Sequence, residues 1–103
     1  MSALMLNMKL QAQAYAPVTA SGYLQDIKGA SAIIFQNVGT NNCTLFNGMY
    51  TVLANGGTLT LNATEDYGTI DVLQLMVQFS GAGTNRLEIV VLRPSKDSTP
   101  LNC

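Results

Sequence analysis

The sequence predicts a single all-β domain, an antiparallel β-sandwich of jelly-roll type with about seven or eight strands. Three observations lead there. The chain has 103 residues, the size of one autonomous domain. Its polarity comes from ten Thr, nine Asn, six Ser and six Gln, while only 11% of residues are charged. Thr favours strands, and Asn with Gly favours turns. Short apolar runs then alternate with turn signals every ~8–12 residues, the spacing of an all-β domain. With 48% hydrophobic residues and a net charge of -1, the chain is neither intrinsically disordered nor a coiled coil.

The first element is the longest. Leu4, Leu6, Met8, Leu10, Ala12 and Ala14 share one parity, and Asn7, Lys9, Gln11 and Gln13 occupy the other. Such period-2 alternation is a strand signature. At ~3.3 Å per residue the strand would span about 36 Å. A compact domain of this size is itself only about 33 Å across. The strand must therefore bend sharply or reach towards a neighbouring subunit. A connection follows over Tyr15–Ser21, where Pro17 denies a ladder hydrogen bond, and a short strand is expected near Tyr23–Ile27.

Ser31–Val38 is the next strand, closed by Gly39-Thr40-Asn41-Asn42. Thr44–Phe46 and Met49–Leu53 flank Asn47-Gly48, which predicts a hairpin with a type I′ turn. Asn55-Gly56-Gly57 turns into the strand Thr58–Asn62, and Glu65–Gly68 reads as a loop. In Ile70–Ser80 the alternation places Leu73, Leu75, Val77 and Phe79 on one face and Gln74 and Gln78 on the other. Gly81–Asn85 is a tip before the last strand, Arg86–Arg93, and Pro94–Cys103 is an irregular tail. The division is thus an arm over 1–16, a sandwich core over 17–93 and a tail over 94–103. No helix and no internal repeat is required.

The chemistry available is narrow. There is no His, which removes Ser/His/Asp and Cys/His arrangements and the commonest metal ligand. No catalytic residue, metal site or cofactor is expected, and the chain is read as not an enzyme. Glu65, Asp66 and Asp71 form the only acidic cluster and read as a solvated loop rather than a carboxylate pair or a calcium site. Cys43 and Cys103 can pair with each other or between chains, but the expected state is two free thiols. Asn42-Cys43-Thr44 and Asn62-Ala63-Thr64 match a glycosylation pattern that has meaning only in an exported eukaryotic protein. No basic patch supports nucleic-acid binding, and no apolar run reaches the ~18 residues of a membrane span. The first residues lack a basic n-region, so use without secretory export is expected.

The N-terminal strand admits two readings. It is an ordinary first strand of the sandwich, or it pairs with the sheet edge of a neighbouring chain. Lys9, its single charge, gives an exposed edge little protection against such pairing.

Phe35-Gln36-Asn37-Val38-Gly39-Thr40, Leu45 and Asn47-Gly48, Leu53 with Gly56-Gly57-Thr58-Leu59, and the final Leu87-Glu88-Ile89-Val90-Val91 carry a resemblance. Over Ile33–Arg93 the chain resembles small all-β phage structural proteins of capsid-decoration, minor-capsid, spike or connector type. The N-terminal strand has no counterpart in that pattern. The resemblance implies a non-enzymatic virion subunit, made in the host cytoplasm, that assembles with itself and with other virion proteins. A trimer or larger ring is the expected form. Leu4, Leu6, Met8, Leu10, Pro94 and Leu101 are then the candidate contact residues of its two arms. The alternative is a small carbohydrate- or receptor-binding β-sandwich that uses loop residues Asn41, Asn42, Asp66, Tyr67 and Asn85.

Overall fold

A computed structural model describes residues 6–7, 10–63, 68–94 and 99–100. In these residues the chain is all β, with antiparallel pairing throughout. The strands are β1 Leu6–Asn7, β2 Leu10–Ala14, β3 Gly22–Tyr23, β4 Ile27–Ala30, β5 Ala32–Asn37 and β6 Cys43–Leu45. They continue as β7 Tyr50–Val52, β8 Gly57–Asn62, β9 Ile70–Val72, β10 Met76–Phe79, β11 Leu87–Pro94 and β12 Thr99–Pro100. One four-stranded sheet has the order β2-β11-β5-β8 and a second the order β3-β10-β6-β7. Two short ribbons, β4-β9 and β1-β12, complete the set.

The described strand segments outnumber the seven or eight expected because one long pairing is broken and because β1 and β12 form a ribbon of their own. β3 and β4 run antiparallel to β10 and β9, but residues 24–26 and 73–75 interrupt the ladder. Gln74 takes a φ of 52°, and its N–H donates to the Asp26 carboxylate at 2.9 Å. Gly29, at φ 69°, donates its N–H to the Asp71 carboxylate at 2.8 Å. Two carboxylates thus accept donors that a regular ladder would have paired. The break also corrects the expected face of this segment. Leu75 and Val77 are buried and Phe79 packs on the core, whereas Leu73 is 56% exposed on the far side of the irregularity.

The tail needs a second correction. Pro94 is the last residue of β11 rather than the start of irregular chain, and Thr99–Pro100 pairs with β1. The hairpin at Asn47-Gly48 forms, with φ of 56° and 87° at the two positions and the Met49 N–H bonding the Phe46 carbonyl at 3.1 Å. Its strands stop at Leu45 and Tyr50, however: Phe46, at φ 55°, and Met49 belong to the turn rather than to the expected strands.

A single buried cluster draws on both four-stranded sheets. Ile33, Phe35, Leu87, Ile89 and Val91 come from the first, Cys43, Leu45, Val52 and Val77 from the second, with Ile27, Ala30 and Val72 from the β4-β9 ribbon. Each fully buried large side chain contributes on the order of 1.5–3 kcal/mol. The molecule is long for its mass, 55 × 21 × 21 Å with a radius of gyration of 15.8 Å. A compact chain of this length has about 13 Å. The β2-β11 ladder accounts for part of that length, since Arg93 and Pro94 lie beyond the end of β5 and pair with β2 alone.

Candidate functional site

Two regions hold the residues that sequence singled out: the N-terminal strand and the loops at the end of the sheets. In β2 the register decides everything. Val91 opposes Gln13, and Arg93 opposes Gln11. Directly opposed residues of an antiparallel pair point to the same face. Gln11 and Gln13 therefore share the face of buried Val91, while Leu10, Ala12 and Ala14 share the opposite face with Val90, Leu92 and Pro94. The apolar parity of the strand looks away from the core. All five residues of β2 are exposed, Leu10 by 49%.

The ladder also fixes which backbone groups are free. The Tyr15 N–H donates to the Ile89 carbonyl at 2.9 Å, so odd-numbered residues of this segment bond to β11. The N–H and C=O groups of Leu10, Ala12 and Ala14 consequently point away from β11, and no strand pairs with them among the described residues. The same alternation explains Pro94: opposite Leu10 it occupies a position where the ladder asks for no N–H.

Arg93 fastens this strand to the body. Its guanidinium donates to Gln13 Oε1 at 2.6 Å, to the Tyr15 hydroxyl at 2.7 Å and to the Lys28 carbonyl at 3.1 Å. It also lies 5.9 Å from the centre of the Tyr15 ring. β2, β11 and β4 are tied by one side chain whose partners are neutral oxygens.

At the other end, three loops are laced together. Asn41 Nδ2 donates to Asn85 Oδ1 at 2.9 Å and to the Ala82 carbonyl at 3.0 Å, and Asn85 Nδ2 donates to the Gly81 carbonyl at 3.0 Å. Asn42 Oδ1 accepts the Ala54 N–H at 2.8 Å. The structure brings Asn41 and Asn85 together, with Asn42 holding the neighbouring turn, and all three amides serve loop backbone. Asp66 and Tyr67 lie outside the described residues, as do Leu4, Met8 and Leu101. Leu6 pairs through its backbone with Pro100, and Leu10 with Pro94.

Sequence reasoning passed over the residue beneath these loops. Asn37 is fully buried. Its Nδ2 donates to the Asn41 carbonyl at 2.8 Å and the Val52 carbonyl at 3.0 Å, while its Oδ1 accepts the Gly39 N–H at 3.0 Å. The last of these is an Asx turn, and Asn two residues before Gly at a strand end was the available signal.

Cys43 is a buried free thiol on β6, and burial pushes its pKa above the ordinary 9.0. Below that value the thiol is neutral in both folded and unfolded chains and has no effect on stability. Above it only the unfolded chain ionises, so stability falls as pH rises. In a Cys103→Ser background the denaturation midpoint should therefore drop more steeply above pH about 9 than in the further variant Cys43→Ala, and native Cys43 should resist a thiol reagent that labels the unfolded chain. Equal slopes and immediate labelling would show an open thiol instead.

The described residues contain no enclosed pocket and no group of three or more carboxylates and cysteines able to hold a metal ion. No family model, curated protein or solved structure matches the chain.

Proposed function

We propose that this chain is a non-enzymatic structural subunit of a virion, a β-sandwich of jelly-roll type that assembles with copies of itself and contacts other capsid proteins. The observation that carries the reading is the N-terminal strand. Over Leu10–Ala14 it presents backbone groups that no strand pairs among the described residues, and an apolar parity turned away from its own core. A strand built this way adds little to the domain's own packing and suits pairing with another chain. The few charges of the chain fit broad subunit contacts, where every buried charge would require a partner. The absence of His leaves little general-base chemistry for an enzyme. The virion setting itself rests on the resemblance over Ile33–Arg93.

The rival reading, a carbohydrate- or receptor-binding module, draws less support. The amides of Asn41 and Asn85 bond each other and the backbone of the 81–85 loop rather than an incoming hydroxyl.

Light scattering on the full chain and on a chain lacking residues 1–16 tests the proposal. The full chain should be oligomeric, and the shortened one should fall to monomer or aggregate along the uncovered edge of β11. A monomeric full chain whose mass and solubility survive truncation would overturn the assembly role, and a glycan screen of the loops would then take its place.

A further inference from the structure

The two edges of the sheet β2-β11-β5-β8 are not alike. β8, which also has no charge, proline or bulge, is anchored by its alternation: Leu59 and Leu61 pack against the core, and Thr58, Thr60 and Asn62 face water. β2 has no such anchorage. Its sequence, LQAQA, contains no charge and no proline, its register with β11 is unbroken by a bulge, and every residue is exposed. Native edge strands usually carry at least one of those protections. The β1-β12 ribbon is two-stranded, an arrangement only marginally stable in water without a third strand.

What recognises a row of free N–H and C=O groups is the edge of another strand, and β2 is complementary to itself. Two conditions restrict the pairing. Opposed residues must point to the same face, and outward-facing backbone groups must meet outward-facing groups. An antiparallel pair with its twofold axis at Ala12 meets both. Ala12 of one copy opposes Ala12 of the other, Leu10 opposes Ala14, and Gln11 opposes Gln13. Leu10, Ala12 and Ala14 form the hydrogen-bonded positions, in keeping with the backbone direction set by the Tyr15–Ile89 bond. On one face the small Ala12 side chains let the strands approach; on the other, glutamine amides bond across the seam.

The geometry points to β2 as the edge through which two copies of this chain join, turning two four-stranded sheets into one continuous sheet. This deepens the assembly reading above and rests on it, naming its contact as an isologous strand pair. The outer apolar residues Val90 and Leu92 then lie on a face that runs across the twofold axis. A twofold pair gives even-numbered assemblies and so replaces the trimer expected from the sequence; anything larger than the pair would need a second contact.

Ala12→Pro is the direct test. It removes a donor on the free edge and leaves the β11 ladder intact, since Ala12 does not bond to β11 and proline is tolerated where the N–H faces outward. The solution mass should fall by half, to the 11.0 kDa of one chain if the wild type is the simple pair, with the far-ultraviolet circular dichroism unchanged. Thr60→Pro, the equivalent change on β8, should leave the mass as it is. Because a proline variant can fail to fold, Ala12→Cys in a Cys103→Ser background supplies an independent readout. Opposed Cα atoms in a hydrogen-bonded antiparallel pair lie about 5.5 Å apart, within disulfide range. Mild oxidation should give a covalent dimer from Ala12→Cys and none from Gln13→Cys. An oligomer that ignores Ala12→Pro and does not cross-link at position 12, or one halved by Thr60→Pro, would overturn the β2 pair while leaving assembly standing. A wild type that is monomeric at every concentration would overturn assembly itself.

Discussion

Replacing Asn37 with Ala should cost the protein about 3–5 kcal/mol of stability, the sum of several buried groups losing their partner at once. The side chain is fully buried and makes three hydrogen bonds, to the Asn41 carbonyl, the Val52 carbonyl and the Gly39 N–H. Alanine takes this partner from the buried Val52 carbonyl and Gly39 N–H, at ~1–3 kcal/mol each, and from the half-buried Asn41 carbonyl, and opens a void beside them. Asn37 ends β5, and these groups belong to the 39–42 loop and the end of β7, so one amide ties three segments together. Urea denaturation is the measurement: the midpoint should fall with little change in slope. Asn37→Asp sharpens the test, because a carboxylate keeps the bond to Gly39 but faces two carbonyl oxygens. Its defect should shrink in acid, where the protonated carboxyl regains a donor. An Asn37→Ala variant as stable as the parent would show that water enters and replaces the amide.

Gly39→Ala is expected to cost about 2–3 kcal/mol, through collision rather than loss of a contact. A Cβ at this position would strike the Thr84 carbonyl oxygen and lie 2.7 Å from the Arg86 nitrogen. Both obstacles are backbone, so no side chain can turn aside. The two loops would have to separate, breaking the bonds from the Val38 N–H to Arg86 at 3.0 Å and from the Thr40 N–H to Thr84 at 2.7 Å. Amide exchange at Val38 and Thr40 should accelerate before global unfolding does. Unchanged protection there would mean the strand ends accommodate a methyl group by a shift elsewhere.

Much of the candidate assembly edge was legible beforehand. The alternation from Leu4 to Ala14 announced a strand with one apolar face, and the scarcity of charge announced a bare edge. What alternation does not encode is direction. The natural expectation for an apolar parity is burial, and only the pairing of Gln13 with Val91 turns Leu10, Ala12 and Ala14 to the outer face. The loop residues show the converse. Asn41, Asn42 and Asn85 have the polarity of a binding surface, but whether an amide meets a ligand or a neighbouring carbonyl depends on how close the loops come. Leu73 failed for a related reason: a single residue at positive φ resets the parity, and Gln74 is not a residue type that announces it.

The all-β class, the Asn47-Gly48 hairpin and the strands around Phe35 and Ile89 follow from local chemistry: β-branched propensity, period-2 alternation and turns that demand positive φ. Which strands neighbour which, the face that β2 turns outward, the pairing of Thr99–Pro100 with β1 and the burial of Asn37 emerge only when the chain folds. Those outcomes depend on the register between segments far apart in the chain. A shift of one residue in that register exchanges core and solvent faces without altering any local preference.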